Sequence, residues 1–263
     1  MIVRYENGFV SLNFAIKDNK LFAGIGLNEG AAVGITSNRG KDWKIIKLGR
    51  SRVYSFLPIG DQLFALKKFK RTSRPYFSVA QYGGNDTFIP RYDISIYSMF
   101  PNTKFDIKYS RATRIISFGN QAVYLGAYKY NSHQTIPFGF YKVKLQNNRL
   151  KSEKIKLKKE YIPRDIIKRG STIYVLASKK GKIDTEIKVL KFDINDLKKY
   201  KEILTFKYTT FARSFELLNG DFYFGIGCDV TAGDDWKKNE LINETGNILR
   251  VKEKFIRKEH NYE

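Results

Sequence analysis

Arg114, Arg164 and Arg213 recur at intervals of 50 and 49 residues, and each opens a similar stretch of chain. Arg114 begins R-I-I-S-F-G-N-Q-A-V-Y-L-G, Arg164 begins R-D-I-I-K-R-G-S-T-I-Y-V-L-A, and Arg213 begins R-S-F-E-L-L-N-G-D-F-Y-F-G. A tyrosine follows ten residues after each arginine: Tyr124, Tyr174 and Tyr223. Arg52 starts a looser copy with a turn two residues longer. Guanidiniums gathered about 8 Å apart repel by roughly 2 kcal/mol per pair at an effective dielectric near ~20. Such a set calls for anions. Asp165 and Glu216, the nearest carboxylates in sequence, could supply them permanently. A carboxylate, sulfate or phosphate on a ligand could do so on binding, since guanidinium grips such groups with two parallel hydrogen bonds.

Further candidates fall in three stretches read as long loops, 67–92, 127–138 and 227–244, and long loops commonly carry function. Tyr76, Tyr82, Tyr128, Tyr130 and Trp236 offer flat faces for sugar rings, and His133 is the one internal histidine. Asp229, Asp234, Asp235 and Glu240 are the candidate catalytic acids. A glycosidase needs two carboxyls about 5–9.5 Å apart, one with a raised pKa, and spacing does not select the pair. Two His and one Cys, Cys228, leave no internal disulfide, no zinc cluster and no hydrolytic triad. No metal or cofactor is expected. G-I-G-L-N-E-G (24–30) lies between strands, where a phosphate-binding loop would need a following helix.

A self-similar unit near 50 residues, rich in Phe and Tyr and alternating with period two, reads as propeller blades of four strands each. Five units follow, about 9–49, 51–110, 111–159, 161–209 and 211–258, forming a single all-β, five-bladed propeller domain. Asp18 and Asn19 mark the first hairpin turn. In the second unit the third and fourth strands are expected at Asp93–Ser98 and Phe105–Tyr109. In the fifth, the fourth strand is either Phe255–Lys258 or the N-terminal Ile2–Tyr5, which would close the ring. Asn195 is placed to cap one helical turn over 195–202. First strands line a propeller's axis and their N-terminal ends share a face. Arg52, Arg114, Arg164 and Arg213 would therefore ring one channel mouth, with Val10 in the first unit.

T-S-N-R-G-K-D-W (36–43) fits the pattern [S/T]-x-[D/N]-x-G-x-x-W, with Thr36, Asn38, Gly40 and Trp43 on its positions. It resembles the Asp-box of sialidase-like, BNR-repeat propellers, and it falls between the third and fourth strands, where that family places it. The resemblance implies a structural turn, in which Asn38 bonds its own backbone, Gly40 takes positive φ and Trp43 packs into the blade. Sialidases proper have six blades, an arginine triad, a Tyr with a supporting Glu and an acidic donor. Five-bladed glycosidase and glycan-binding propellers are an equal comparison on architecture.

The formal charge of +22 suggests a polyanion, yet many lysines fall in the outermost strand of each unit, where they deter edge-to-edge pairing. Nucleic acid is therefore set aside as a partner. The N-terminus lacks a signal-peptide pattern and no stretch approaches a membrane span, so a soluble chain is expected, with a cytoplasmic setting favoured. The expected function is binding of an acidic saccharide or other small anion in an arginine-lined axial pocket. If there is catalysis, it would be glycoside hydrolysis. The alternative is a non-catalytic propeller that docks a protein partner and uses its arginines as a structural network.

Overall fold

The computed structural model describes residues 8–27, 30–49, 52–67, 78–94, 96–101, 110–129, 135–158, 160–181, 184–227 and 244–257. These residues form an all-β chain of five antiparallel meanders. The first sheet holds β1 (Gly8–Lys17), β2 (Lys20–Leu27), β3 (Ala31–Thr36) and β4 (Lys44–Lys47). The second holds β5 (Val53–Ile59), β6 (Gln62–Lys67), β7 (Val79–Gly84) and β8 (Thr87–Arg91). The third holds β9 (Ser110–Phe118), β10 (Gln121–Lys129), β11 (Thr135–Gln146) and β12 (Arg149–Ile155). The fourth holds β13 (Ile162–Arg169), β14 (Thr172–Lys180), β15 (Thr185–Asp193) and β16 (Asp196–Tyr208). Among the described residues the fifth has three strands, β17 (Phe211–Leu218), β18 (Asp221–Gly227) and β19 (Ile248–Val251). No helix among them is long and apolar enough to cross a membrane.

Three expectations are corrected. The third and fourth strands of the second sheet are β7 and β8, which lie inside the stretch read as a loop, while Ile96–Met99 is a 3-10 turn. The signal was Asn85–Asp86, whose φ values of 48° and 54° make a hairpin turn. Phe255 is not in a strand, because Glu253–Arg257 forms a short helix, α1, with Asp221 Oδ1 accepting the Glu253 N–H at 2.8 Å. Residues 196–202 belong to β16, and the Asn195 N–H donates to Asp193 Oδ1 in a turn instead of capping a helix. Residues 105–109 and Ile2–Tyr5 lie outside the described residues.

Local chemistry explains the turns. Asp18 and Asn19 both take positive φ, as a two-residue hairpin requires. Between β3 and β4, Asn38 Oδ1 accepts from Thr36 Oγ1 at 2.9 Å and from the Asp42 N–H at 3.0 Å. Thr36 Oγ1 accepts from the Gly40 N–H at 3.0 Å, and Trp43 Nε1 donates to the Gly40 carbonyl at 3.1 Å. Gly40 sits at φ 84°, and a Cβ on Gly34 would lie 3.0 Å from the Trp43 ring. The indole covers that glycine.

The chain divides into two compact units, residues 1–128 with 141–154, and residues 129–140 with 155–263. In the first unit β1 packs against β5 and β5 against β9. Its core joins Phe22, Phe56, Tyr82 and Phe88 across the first two sheets, with Phe22 edge-on to Tyr82 at 5.0 Å. Nearby, Tyr124 stacks on Tyr141 at 5.4 Å, and Phe100 meets both edge-on. In the second unit β13 packs against β17, and Leu176, Ile187, Val189, Phe215, Phe222 and Phe224 form the core.

The first strand of each sheet is irregular. Register against the second strand shifts between Val53 and Ser55, between Thr113 and Ile116, between Pro163 and Asp165, and between Ala212 and Ser214. Each shift inserts one extra residue, a β-bulge. After the bulge a buried polar side chain ties the strand to its neighbour. Ser55 Oγ donates to the Ala112 carbonyl of β9 at 2.9 Å, and Asp165 Oδ2 accepts the Phe215 N–H of β17 at 3.2 Å. Asp165 Oδ1 also accepts the Ile166 N–H at 2.9 Å. Removing this carboxylate strands two buried N–H groups, so Asp165→Ala should cost about 2–4 kcal/mol. Chemical denaturation would read this as a lower midpoint, while Glu216→Ala, at an exposed ion pair, should change stability by less than about 0.5 kcal/mol.

Candidate functional site

The sequence expectation treats Arg52, Arg114, Arg164 and Arg213 as equivalent, and counting from the hairpin turns corrects that. The turns begin at Gly60, Gly119, Gly170 and Asn219. Arg164 and Arg213 each stand six residues before the turn and are the bulged residues of their strands. Tyr54 holds that position in β5. Arg52 stands eight before its turn, and its true counterpart in the third sheet is Arg111, not Arg114. Arg114 is five before the turn, the place of Ser55 and Asp165, and is exposed with φ 49°. The ten-residue Arg–Tyr spacing survives in the third unit only because its turn comes one residue early. Tyr124 consequently points into the core while Tyr174 and Tyr223 are half-buried.

The turn-counted positions make one contact twice, with the partners exchanged. In the first unit Arg111 of β9 lies over the Tyr54 ring of β5, 5.5 Å from its centroid. In the second unit Arg164 of β13 lies over the Phe211 ring of β17, 4.0 Å from its centroid, while its Nε donates to Ser178 Oγ at 2.7 Å. The bulged residue of one sheet thus meets the residue eight before the turn in the next, cation on aromatic either way. Burial pulls the Arg111 guanidinium below its usual pKa, with Tyr54 acting weakly the other way. Arg52 and Arg213 are exposed, and each rests on a glycine of a second strand. A Cβ on Gly26 would lie 2.7 Å from Arg52 Cγ, and one on Gly227 would lie 3.1 Å from Arg213 Cβ.

Glu216 pairs with Arg169 at 2.5 Å, and Asp165 receives backbone N–H groups. Tyr82 is a core residue against Phe22 and Phe88 and offers no face to a ligand. Its burial follows from β7 occupying the supposed loop. Tyr128, one residue before the end of β10, is half-buried opposite Ser110. Tyr76, Tyr130, His133, Trp236, Asp229, Asp234, Asp235 and Glu240 lie outside the described residues.

Two features escaped the sequence reading. Lys67, at the end of β6 opposite Val53, is 3% exposed and donates from Nζ to the Leu48 carbonyl at 2.5 Å. Burial lowers its pKa from 10.5 to about 8. Its apolar strand neighbours, Leu63–Leu66, were the available signal. The second feature lies on the fourth sheet, where Lys188 Nζ sits 2.6 Å from Glu202 and 3.5 Å from Glu186. Tyr161 OH donates to Glu186 Oε1, and Lys158 reaches Glu202 at 2.7 Å. Tyr161 and then Lys188 hold Glu186 below the usual carboxylate range, and Lys158 and Lys188 do so for Glu202. The Tyr161 phenol is pushed up by burial and by Glu186. The pair therefore stays ionised and the phenol neutral, which suits a structural ion network and neither a proton donor nor a nucleophile.

No protein-family model matches the chain, and no curated protein sequence matches it. Solved structures similar to it include the extracellular domain of a proposed one-component system from B. thetaiotaomicron, at TM-score 0.48 and 14% identity, covering 82% of this chain and 25% of that one. An alpha-L-arabinofuranosidase (GH43) from Clostridium thermocellum gives TM-score 0.37 and 10% identity, covering 91% of this chain and 88% of that one. Trypanosoma rangeli sialidase gives TM-score 0.37 and 11% identity, covering 85% of this chain and 35% of that one. The chain spans a minor part of the first and last of these.

Lys67 generates a pH prediction with a definite sign. Its amine is neutral in the fold above pH about 8 but protonated in the unfolded chain up to about 10.5. The unfolded state binds the extra proton within that window, so stability rises with pH across it. Relative to Lys67→Met, the wild type should gain about 1–3 kcal/mol between those two pH values. Denaturation curves for both proteins would measure the difference. A flat difference would show that the amine is not held neutral.

Proposed function

We propose that this protein is a propeller-type binding module for an acidic saccharide, gripped through arginines at the N-terminal ends of the first strands. The five sheets are read as five blades. The observation that carries the reading is the repeated guanidinium–aromatic stack, Arg111 on Tyr54 and Arg164 on Phe211. A stacked guanidinium is oriented before any ligand arrives, so less freedom is lost on binding, and its planar fork matches a carboxylate or sulfate. Burial of Arg111 adds to this, because a cation held out of water gains most from an anion beside it. Exposed Arg52, seated on Gly26 in the first unit, and exposed Arg213, seated on Gly227 in the second, each supply reach in their own unit.

Binding without hydrolysis is the version that the described residues support. Five described carboxyls, Asp86, Asp93, Glu186, Glu202 and Asp221, are held below the usual range. A glycosidase acid must be raised. One observation favours the second reading, a protein-docking propeller with a structural arginine network: the Arg164 Nε is already engaged by Ser178.

Titration calorimetry with 3′-sialyllactose, oligogalacturonate and a sulfated disaccharide separates the readings. At least one should bind, and Arg52→Ala and Arg213→Ala should each weaken it roughly tenfold with an unchanged melting midpoint. Arg164→Ala should weaken binding and also lower the midpoint. Absence of binding to all three would overturn the proposal. So would binding that is indifferent to Arg213→Ala yet steeply salt-dependent, the mark of the outer lysines.

A further inference from the structure

The second unit contains a cavity of about 310 Å³ near the β13–β14 and β17–β18 hairpin turns. Its walls are mainly apolar, with Ile203, Leu217, Phe222 and Ile256 contributing side chains. Tyr174 stands edge-on to Phe222 at 5.8 Å, and burial pushes its phenol up. The volume is at the small end of the range for small-molecule sites.

Charge around the cavity is asymmetric. On one wall, Lys191 of β15 is paired across the sheet with Tyr174 on one side and Lys201 of β16 on the other. Both lysines are exposed, and like charges directly opposite each other on neighbouring strands repel. The far wall carries one acid, Glu253, and Asp221 stands behind it outside the lining. Asp221 accepts from Arg250 Nε at 2.7 Å and from the Glu253 N–H, and the Glu253 carboxylate lies over Gly220, 2.5 Å from where a Cβ would stand. The cavity therefore joins an apolar interior, a phenol and the Lys191 ammonium on one side, with Lys201 behind Lys191 on the next strand and Glu253 on the opposite wall. It is separate from the arginine stack, because Ser178 is four residues further along β14 than Tyr174, about 13 Å at strand rise.

We propose that this cavity binds a small amphipathic carboxylate, an arylalkyl or alkyl carboxylic acid. Its apolar body lies on Phe222, Ile203 and Ile256, and its carboxylate meets Lys191 with Tyr174 beside it. The anion relieves the repulsion between Lys191 and Lys201, and the apolar body removes exposed hydrocarbon from water. The proposal is independent of the saccharide reading and uses none of its residues.

Calorimetry or ligand-observed NMR with 4-phenylbutyrate, 4-phenylbutan-1-ol and 4-phenylbutylamine provides the test. The acid should bind with a dissociation constant of about 0.1–1 mM, the alcohol roughly tenfold weaker and the amine weaker still. Lys191→Met should bring the acid down to the alcohol's level. Ile256→Trp, which fills the cavity from the peripheral α1, should abolish binding while far-UV dichroism stays that of the wild type. Arg213→Ala should leave acid binding unchanged. Equal affinity for all three probes would overturn the carboxylate assignment. Absence of binding at about 5 mM, or a folded Ile256→Trp protein that binds as well as wild type, would overturn the site itself.

Discussion

One inserted residue in the first strand of a sheet governs much of this structure. A strand pairs with period two, so an extra residue moves everything before it to the opposite face. In β5, β13 and β17 the residue at the insertion is Tyr54, Arg164 or Arg213, and the residue after it is Ser55, Asp165 or Ser214. The first set faces a neighbouring sheet or solvent. Ser55 and Asp165 turn inward and bond to the next first strand. Bulge, inward polar bridge and cation–aromatic stack are thus consequences of one register change, repeated along the chain. The third sheet keeps the bulge but delays it, and Arg114 is turned outward at positive φ, while Arg111, eight before the turn, meets Tyr54.

The large positive charge has a distributed structural explanation. Lys44 and Lys47 of β4, Lys151 and Lys154 of β12, and Lys198, Lys199, Lys201 and Lys207 of β16 all stand exposed on outer strands. Charged side chains on an open edge resist pairing with another chain. The cations nearer the sheet interiors behave differently. Lys188 and Lys158 are neutralised by two glutamates, Arg169 by Glu216 and Arg250 by Asp221. Arg111, Arg164 and Lys67 are instead held on rings, a hydroxyl or a carbonyl.

Carboxyl chemistry points in a consistent direction. Asp86, Asp93, Glu186, Glu202 and Asp221 are kept ionised by lysine, arginine, tyrosine or backbone N–H donors, an arrangement that stabilises charge and withholds protons. Tyr161 and Glu186 illustrate the distinction, since their proximity would suggest catalysis until the neutral phenol and the salt-bridged carboxylate are considered together.

The sequence alone determined the all-β class, the five-fold repetition of hairpins and most strand positions, because period-two alternation and Asn, Asp and Gly turn residues are local signals. It also determined the turn at Thr36–Trp43, whose bonds all form within eight residues. It misassigned β7 and β8, because Ser-Val-Ala-Gln-Tyr and Thr-Phe-Ile-Pro carry little alternation and followed a basic stretch that resembled a loop. Only the tertiary structure decided that Arg111 and Arg164 stack on neighbouring rings, that Asp165 serves the backbone of β17, and that Lys67 is buried. Each of these depends on strand register or on a neighbour about 50 or 20 residues away, as with Asp165 to Phe215 and Lys67 to Leu48. A one-residue bulge is invisible to a spacing count along the chain, yet it reverses the direction in which a side chain points.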